Sequence, residues 1–191
     1  NHCEDVRRPE GNPGVEGASL GGGTLVAGSL KSKLSVITWN CATLFGAAPR
    51  TREQRRRHAA KIDRVVSFSC RHDVVMLQEV HGNEQDLSEL SSRIPRSTIT
   101  ILGSFCRDSG AGGVVIIVSE ELRGRFTSCR SEEVEKGRAL LVTLEGGGAH
   151  PLAFCCVHVV PEWSVDYKRN FLNRVNGCSP KVGDACLVLG G

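Results

Sequence analysis

Two stretches of this chain are apolar at every position: Val74-Val75-Met76-Leu77 and Val114-Val115-Ile116-Ile117-Val118. Their shortness and their β-branched residues make them strands. Successive side chains of a strand point to opposite faces, so a strand without polar positions has no face to offer to water. A sheet built on such strands needs cover on both sides. Two or three helices cover only one of them, so the other side wants a second sheet. Helical and strand patterns interleave along the chain, which makes this an α/β or α+β domain.

The remaining patterns fill in that frame. A first strand is predicted over residues 34–39, rich in β-branched residues. Thr51-Arg52-Glu53-Gln54 reads as a capping box and predicts a helix start. Ala59, Ile62, Val66 and Cys70 then recur at helical spacing as its buried stripe. Asn83 is placed to cap a short helix running to about Ser91. Further strands are expected over residues 98–102, 138–144, 152–158 and 185–189. The pair 138–144 and 152–158 is joined through Glu145-Gly146-Gly147-Gly148 and expected to be antiparallel. A helix is expected over 165–175, with Tyr167, Phe171, Leu172 and Val175 on one side. Residues 1–32 hold Gly11, Pro13, Gly14, Gly17 and Gly21-Gly22-Gly23 with few large apolar side chains. They are expected to be unstructured, which places the folded domain at 33–191.

Composition narrows the function classes. At 191 residues, 40% hydrophobic and 24% charged, the chain suits one globular domain or most of one. A net charge of +3 is too small to argue for nucleic acid by itself. No apolar run is long enough to span a bilayer, so no membrane partner is expected. The nine cysteines are scattered and contain no Cys-x-x-Cys, which argues against a disulfide framework and against a zinc site. Free, mostly buried thiols are expected, in a reducing intracellular compartment, nuclear or cytoplasmic.

Polar residues at strand ends are where chemistry is to be sought. Glu79 directly follows the strand at Val74. It is either a solvated strand-end acid or a ligand for a hard cation such as Mg²⁺, which prefers carboxylate oxygen. Asn40 follows the first strand. Its amide can orient a phosphate oxygen or a metal-bound water, or it can simply shape a turn. His158 ends the strand over 152–158 and is either structural or a proton carrier, since imidazole titrates near neutrality. Arg138, after Gly137, either pairs with an acidic residue of a site or holds a strand end. Trp39 reads as a core residue. Gly110-Ala111-Gly112-Gly113 precedes a strand and lacks the Lys-Ser/Thr of a phosphate loop, so it is not one. Arg50, Arg52, Arg55, Arg56, Arg57, Lys61 and Arg64 crowd the first helix, either as a solvated face or as contacts for phosphates.

In order, Thr38-Trp39-Asn40, Gln78-Glu79, Gly137-Arg138, Val157-His158 and Leu187-Val188-Leu189-Gly190-Gly191 resemble the endonuclease/exonuclease/phosphatase superfamily, the deoxyribonuclease I-like metal-dependent phosphoesterases. Gln78-Glu79-Val80-His81-Gly82 is similar to the endonuclease domains of non-LTR retrotransposons and their degenerate copies. The resemblance spans roughly residues 34–191. It implies a four-layer α/β/β/α sandwich with the C-terminal part missing, most of the second sheet coming from residues after Gly191. It also implies that the domain stops before the family's Gly-Asp-x-Asn and Ser-Asp-His motifs.

For the site, the resemblance implies Glu79 as a ligand of Mg²⁺ (or Mn²⁺) and Asn40 as lining the metal and phosphate site. His158 would contact the scissile phosphate and give a proton to the leaving oxygen, with Arg138 in support. The family orients this histidine with a carboxylate on a neighbouring strand. Where that partner belongs stand Gly112 and Gly113, with Asp108 a little earlier. The implied reaction is phosphodiester hydrolysis with duplex DNA as substrate, nicked on one strand. The catalytic set is incomplete within residues 1–191. The chain alone is therefore expected to be inactive and to expose one apolar sheet face. Two other readings stay open: a non-catalytic remnant of a mobile-element endonuclease, and a phosphatase of the same superfamily.

Overall fold

The computed structural model describes residues 33–46, 50–95, 99–108, 111–178 and 186–191. The Gly-rich segment 1–32, expected to be unstructured, lies outside the described residues. Within 33–191 the elements run β1 (Val36–Asn40), α1 (Arg52–Arg71), β2 (Val74–Gln78), α2 (Glu84–Arg93), β3 (Ile99–Ser104), β4 (Val114–Ser119), α3 (Glu120–Arg123), β5 (Ser128–Glu135), β6 (Ala139–Glu145), β7 (Leu152–Val157), α4 (Val165–Asn176) and β8 (Cys186–Gly190).

The strands form two four-stranded sheets, ordered β1-β2-β4-β3 and β5-β6-β7-β8. In the first, β1 and β2 are parallel, and β4 runs antiparallel to both β2 and β3. In the second, β5, β6 and β7 are antiparallel neighbours and β8 runs parallel to β7.

The alternation of side chains along each strand sorts the interior into three cores between four layers. Val75 and Leu77 of β2, with Val115 and Ile117 of β4, meet Ile62 and Val65 of α1 and Leu90 of α2 on one outer face. Their neighbours Val74, Met76, Val114, Ile116 and Val118 point the other way. They pack against Leu140, Val142 and Leu144 of β6 and Phe154 and Cys156 of β7. On the far side, Leu141, Ala153 and Cys155 meet Phe171 and Val175 of α4. The continuous apolar runs are explained: both faces of β2 and of β4 are buried. Burying one such side chain fully stabilises the fold by about 1.5–3 kcal/mol.

Two expectations are corrected here. Most of the second sheet was expected from residues beyond Gly191, yet a four-stranded second sheet is built from residues 128–190. Consequently the apolar face expected to lie exposed is covered, because the inner faces of the two sheets bury one another. The reason is β5. Its sequence, Ser-Cys-Arg-Ser-Glu-Glu-Val-Glu, has no apolar pattern, because it is an edge strand with four consecutive solvent-facing positions, and it pairs along β6.

Local signals at the helix ends hold. Thr51 accepts from the Gln54 backbone N–H and the Gln54 side chain accepts from the Thr51 N–H, the reciprocal pair that starts α1. Asn83 and Asp86 do the same for α2. The buried stripe of α1 differs from the expected one: it is Ile62, Val65 and Ser69, whereas Ala59 and Cys70 face solvent. Ser69 tolerates burial because its hydroxyl donates to the Val65 carbonyl at 2.9 Å. In α4, Phe171 and Val175 are buried while Tyr167 and Leu172 are exposed, a narrower apolar side than expected.

Candidate active site at the seam between the sheets

β2 and β7, one from each of the two facing sheets, run out at the same end of the sandwich, and the predicted site residues stand there. Glu79 follows β2, Asn40 is the last residue of the neighbouring β1, and His158 follows β7. Arg138 precedes β6, whose Ala139 is opposite Val157 of β7. The His158 backbone N–H donates to the Arg138 carbonyl at 2.8 Å, extending that ladder by one residue.

Glu79 lies in left-handed backbone, φ 51°, which is uncommon for a residue with a Cβ and costs on the order of 1–3 kcal/mol. Ala42 and Thr43 in the facing loop, and His81 two residues further along, share this conformation. Backbone pairing holds the loops in place. The N–H groups of Cys41, Thr43 and Phe45 donate to the carbonyls of Gln78, Glu79 and Val80 at 2.8, 2.9 and 2.7 Å. Lys61 of α1 closes the loop from the other side. Its ammonium donates to the carbonyls of Cys41, Ala42 and Thr43 at 2.8, 2.6 and 3.1 Å.

The side chains then form a row. Arg138 Nη1 lies 2.8 Å from His158 Nδ1, and His158 Nε2 lies 2.9 Å from Glu79 Oε1. Guanidinium only donates and carboxylate only accepts. Nδ1 is therefore the acceptor, and Nε2 carries the proton that it donates to Glu79. Burial, and next the Arg138 charge, hold the His158 pKa below the usual imidazole value, while Glu79 pulls the other way. The pair is thus a hydrogen bond from neutral imidazole at neutral pH. The carboxylate against His158 is Glu79, on Nε2, while Arg138 takes Nδ1.

Gly112 and Gly113 have a different task. Gly112 adopts φ +63°, and a Cβ there would come 2.8 Å from Cys106 Sγ and 2.9 Å from Arg138 Cζ. The missing side chain makes room for the guanidinium.

Asn40 is exposed, and its Oδ1 accepts from the Ala42 N–H at 2.9 Å, so it shapes the loop that follows β1. Trp39 is half-buried, edge-on to Phe68 at 5.9 Å, with Arg64 over its ring at 5.6 Å. The basic cluster of α1 divides. Lys61 clamps the loop, Arg64 covers Trp39 and Arg57 pairs with Glu53. Arg50, Arg52, Arg55 and Arg56 are exposed, with no ion pair among the described residues.

Three contributors to this region escaped the sequence. Gln78 is 2% exposed, with Nε2 donating to Thr38 Oγ1 at 2.9 Å; its signal was an amide ending an apolar run. Lys61 was hidden among the basic residues. Trp163, under Arg138, carries no local signal at all.

A hard divalent cation takes one or two carboxylates and keeps water and substrate phosphate as its other ligands. One carboxylate, Glu79, beside the Asn40 amide on the adjacent strand fits that kind of open site. It does not fit a closed cage: among the described residues no group of three or more His, Cys, Asp or Glu is placed to hold a metal ion.

Two sheets packed face to face with helices outside each define the class, an α/β/β/α sandwich, with the candidate Asn-Glu-His set at the seam where the strands end. The chain has the deoxyribonuclease I-like fold. It is similar to the 3′ phosphatase NExo from Neisseria bound to a product DNA hairpin, at TM-score 0.55 and 13% identity, covering 82% of this chain and 56% of that one. It is similar to D. rerio TDP2 complexed with a single-strand DNA product, at TM-score 0.53 and 18% identity, covering 83% and 59%. It is also similar to the AP endonuclease LMAP from Leishmania major, at TM-score 0.50 and 17% identity, covering 77% and 46%. This chain thus spans between 46% and 59% of the length of these structures. No family model matches the sequence, and no curated protein does.

Proposed function

We propose that this chain is part of a metal-dependent phosphodiester hydrolase acting on DNA. The observation that carries the reading is the Glu79–His158 contact at 2.9 Å, which brings a carboxylate and an imidazole from two different sheets to one point beside Asn40. The DNA products held by the TDP2 and NExo structures support nucleic acid as the substrate. The exposed Arg50, Arg52, Arg55 and Arg56 on the segment after β1 suit a phosphate backbone.

In this reading Glu79, and Asn40 through the Oδ1 lone pair that the Ala42 N–H leaves free, would hold Mg²⁺ or Mn²⁺, which would polarise a phosphoryl oxygen. Asn40 orients a phosphate oxygen through its amide N–H groups, which are not the atoms spent on Ala42. His158 holds a proton at Nε2, the position from which it donates a hydrogen bond to an anionic oxygen, Glu79 now and a phosphate oxygen of the substrate during reaction. Glu79, which only accepts, and Arg138, which only donates, both keep that proton on Nε2. The test is Mg²⁺-dependent nicking of supercoiled DNA by the full natural polypeptide that carries this sequence and by its Glu79→Gln variant.

A second reading, a domain without catalytic activity, is favoured by one observation: Glu79 is the carboxylate at the seam, and His158 occupies one of its oxygens. Absence of nicking at any Mg²⁺ or Mn²⁺ concentration supports it. The non-LTR retrotransposon branch and a small-phosphoester phosphatase are the finer alternatives, separated by comparing duplex DNA with a 3′-phosphorylated oligonucleotide as substrate.

A further inference from the structure

Cys41, Ala42 and Thr43 directly follow Asn40, and each of their backbone polar groups has a partner. The N–H groups of Cys41 and Thr43 donate to the carbonyls of Gln78 and Glu79, and that of Ala42 donates to Asn40 Oδ1. Their carbonyls all accept from the Lys61 ammonium, at 2.8, 2.6 and 3.1 Å. An ammonium has three N–H groups, so Lys61 spends all of its donors on this one loop. Carbonyl oxygens turned toward a single point repel one another unless a cation sits there. Turning them that way takes left-handed backbone at Ala42, φ 43°, and at Thr43, φ 72°, which a residue with a Cβ disfavours. The clamp has a firm base. Ile62, the neighbour of Lys61 on α1, is buried in the same core as Cys41, Leu44 and Phe45 of the loop.

We infer that Lys61 is a positioning residue for Asn40 and Glu79, acting through the carbonyls of residues 41–43, and not a contact for substrate phosphate. Without the ammonium nothing offsets the gathered carbonyls, and Ala42 and Thr43 relax toward ordinary backbone. Two bonds to the site go with them. The Ala42 N–H no longer holds Asn40 Oδ1. The Thr43 N–H no longer holds the carbonyl of Glu79, whose own backbone is left-handed at φ 51°. The role belongs to the shape of the ammonium as much as to its charge. A guanidinium is a planar fork and cannot aim its N–H groups at three carbonyls gathered round one point. The clamp is a property of the chain alone, and its consequence for catalysis rests on the roles proposed above for Asn40 and Glu79.

Two readouts test it on the full natural polypeptide that carries this sequence. Amide hydrogen exchange, without metal or DNA, reports the clamp. Lys61→Met keeps an unbranched stem and loses the ammonium. Exchange of the Thr43 and Phe45 amides is expected to speed up in it by at least about tenfold, with the β4 ladder unchanged. Lys61→Arg keeps the charge and serves where Lys61→Met does not fold; it too is expected to exchange faster than wild type at Thr43. Arg71→Met removes a charge from the last turn of the same helix and is expected to leave both amides as they are. Wild-type protection of Thr43 in a folded Lys61→Met or in Lys61→Arg overturns the inference, as does equal acceleration in Arg71→Met. Nicking kinetics and DNA binding give the second readout. Both Lys61 variants should lower kcat by at least about tenfold and leave the salt dependence of DNA affinity as in wild type. A salt slope smaller by about one, with kcat intact, makes Lys61 a phosphate contact and overturns the inference. A wild-type polypeptide that never nicks sinks the nuclease reading, and the exchange result still decides the clamp.

Discussion

Arg138 and His158 are joined twice, once through backbone and once through side chains, both at 2.8 Å. The second bond decides the chemistry of the histidine, because a cation that cannot accept a hydrogen bond leaves Nδ1 no choice but to accept one. That places a neutral imidazole against Glu79, at the seam where the two sheets end.

The pH dependence of stability follows from this. The folded chain holds the His158 pKa below its ordinary value of 6.5, chiefly through burial and then through the Arg138 charge. The unfolded chain therefore binds the proton first as pH falls, so stability increases with pH in this window. The contribution is fully present above about pH 6.5 and declines from there down to the folded pKa. Thermal melts between about pH 8 and 5 are expected to show a steeper loss for the wild-type chain than for His158→Gln. Equal slopes for the two would contradict the assignment.

The inter-sheet core should dominate stability. Phe154 is fully buried between the sheets, whereas Leu172 on α4 is 50% exposed. Phe154→Ala is expected to destabilise the chain by about 3–5 kcal/mol. Leu172→Ala should stay within roughly 0.5–1 kcal/mol, as a half-exposed site should. Urea denaturation of the three proteins checks both values. A cost for Leu172→Ala equal to that of Phe154→Ala would mean that the outer face of α4 is covered by something else.

Thiol chemistry should divide by burial. Burial pushes the pKa values of Cys41, Cys155 and Cys156 up to about 12, so their thiolates are scarce near neutrality. Cys70 is exposed on α1. Alkylation with peptide mapping is expected to modify Cys70 in the native chain, and the three buried thiols only after denaturation. Rapid native labelling of Cys156 would show that the sheets separate readily.

Much of the frame could be read from the sequence because the strands that build it are buried on both faces. Val74 to Leu77 and Val114 to Val118 could belong only between layers, and that demanded a second sheet. Helix starts were legible at Thr51 and Asn83 because capping is local chemistry. β5 was illegible because an exposed edge strand carries Arg and Glu where a pattern would need apolar residues. Glu79, Asn40 and His158 could each be singled out as polar residues at strand ends, and the structure brings all three to one seam. What could not be read was the pairing of Glu79 with His158 and the support from Trp163. Those contacts join residues far apart in the chain and depend on how two sheets meet.

The central claim is that the seam residues form a metal-dependent nuclease site, and nicking of supercoiled plasmid tests it most directly. The measurement sets wild type against Glu79→Gln in the full natural polypeptide that carries this sequence, with Mg²⁺ and with chelator, after both proteins are shown to be folded. Removal of a group that acts with others in a catalytic unit costs most of the rate, so the account predicts Mg²⁺-dependent nicking that falls by at least about 100-fold in Glu79→Gln. Nicking that survives intact in Glu79→Gln, or that is equal with and without Mg²⁺, would contradict it.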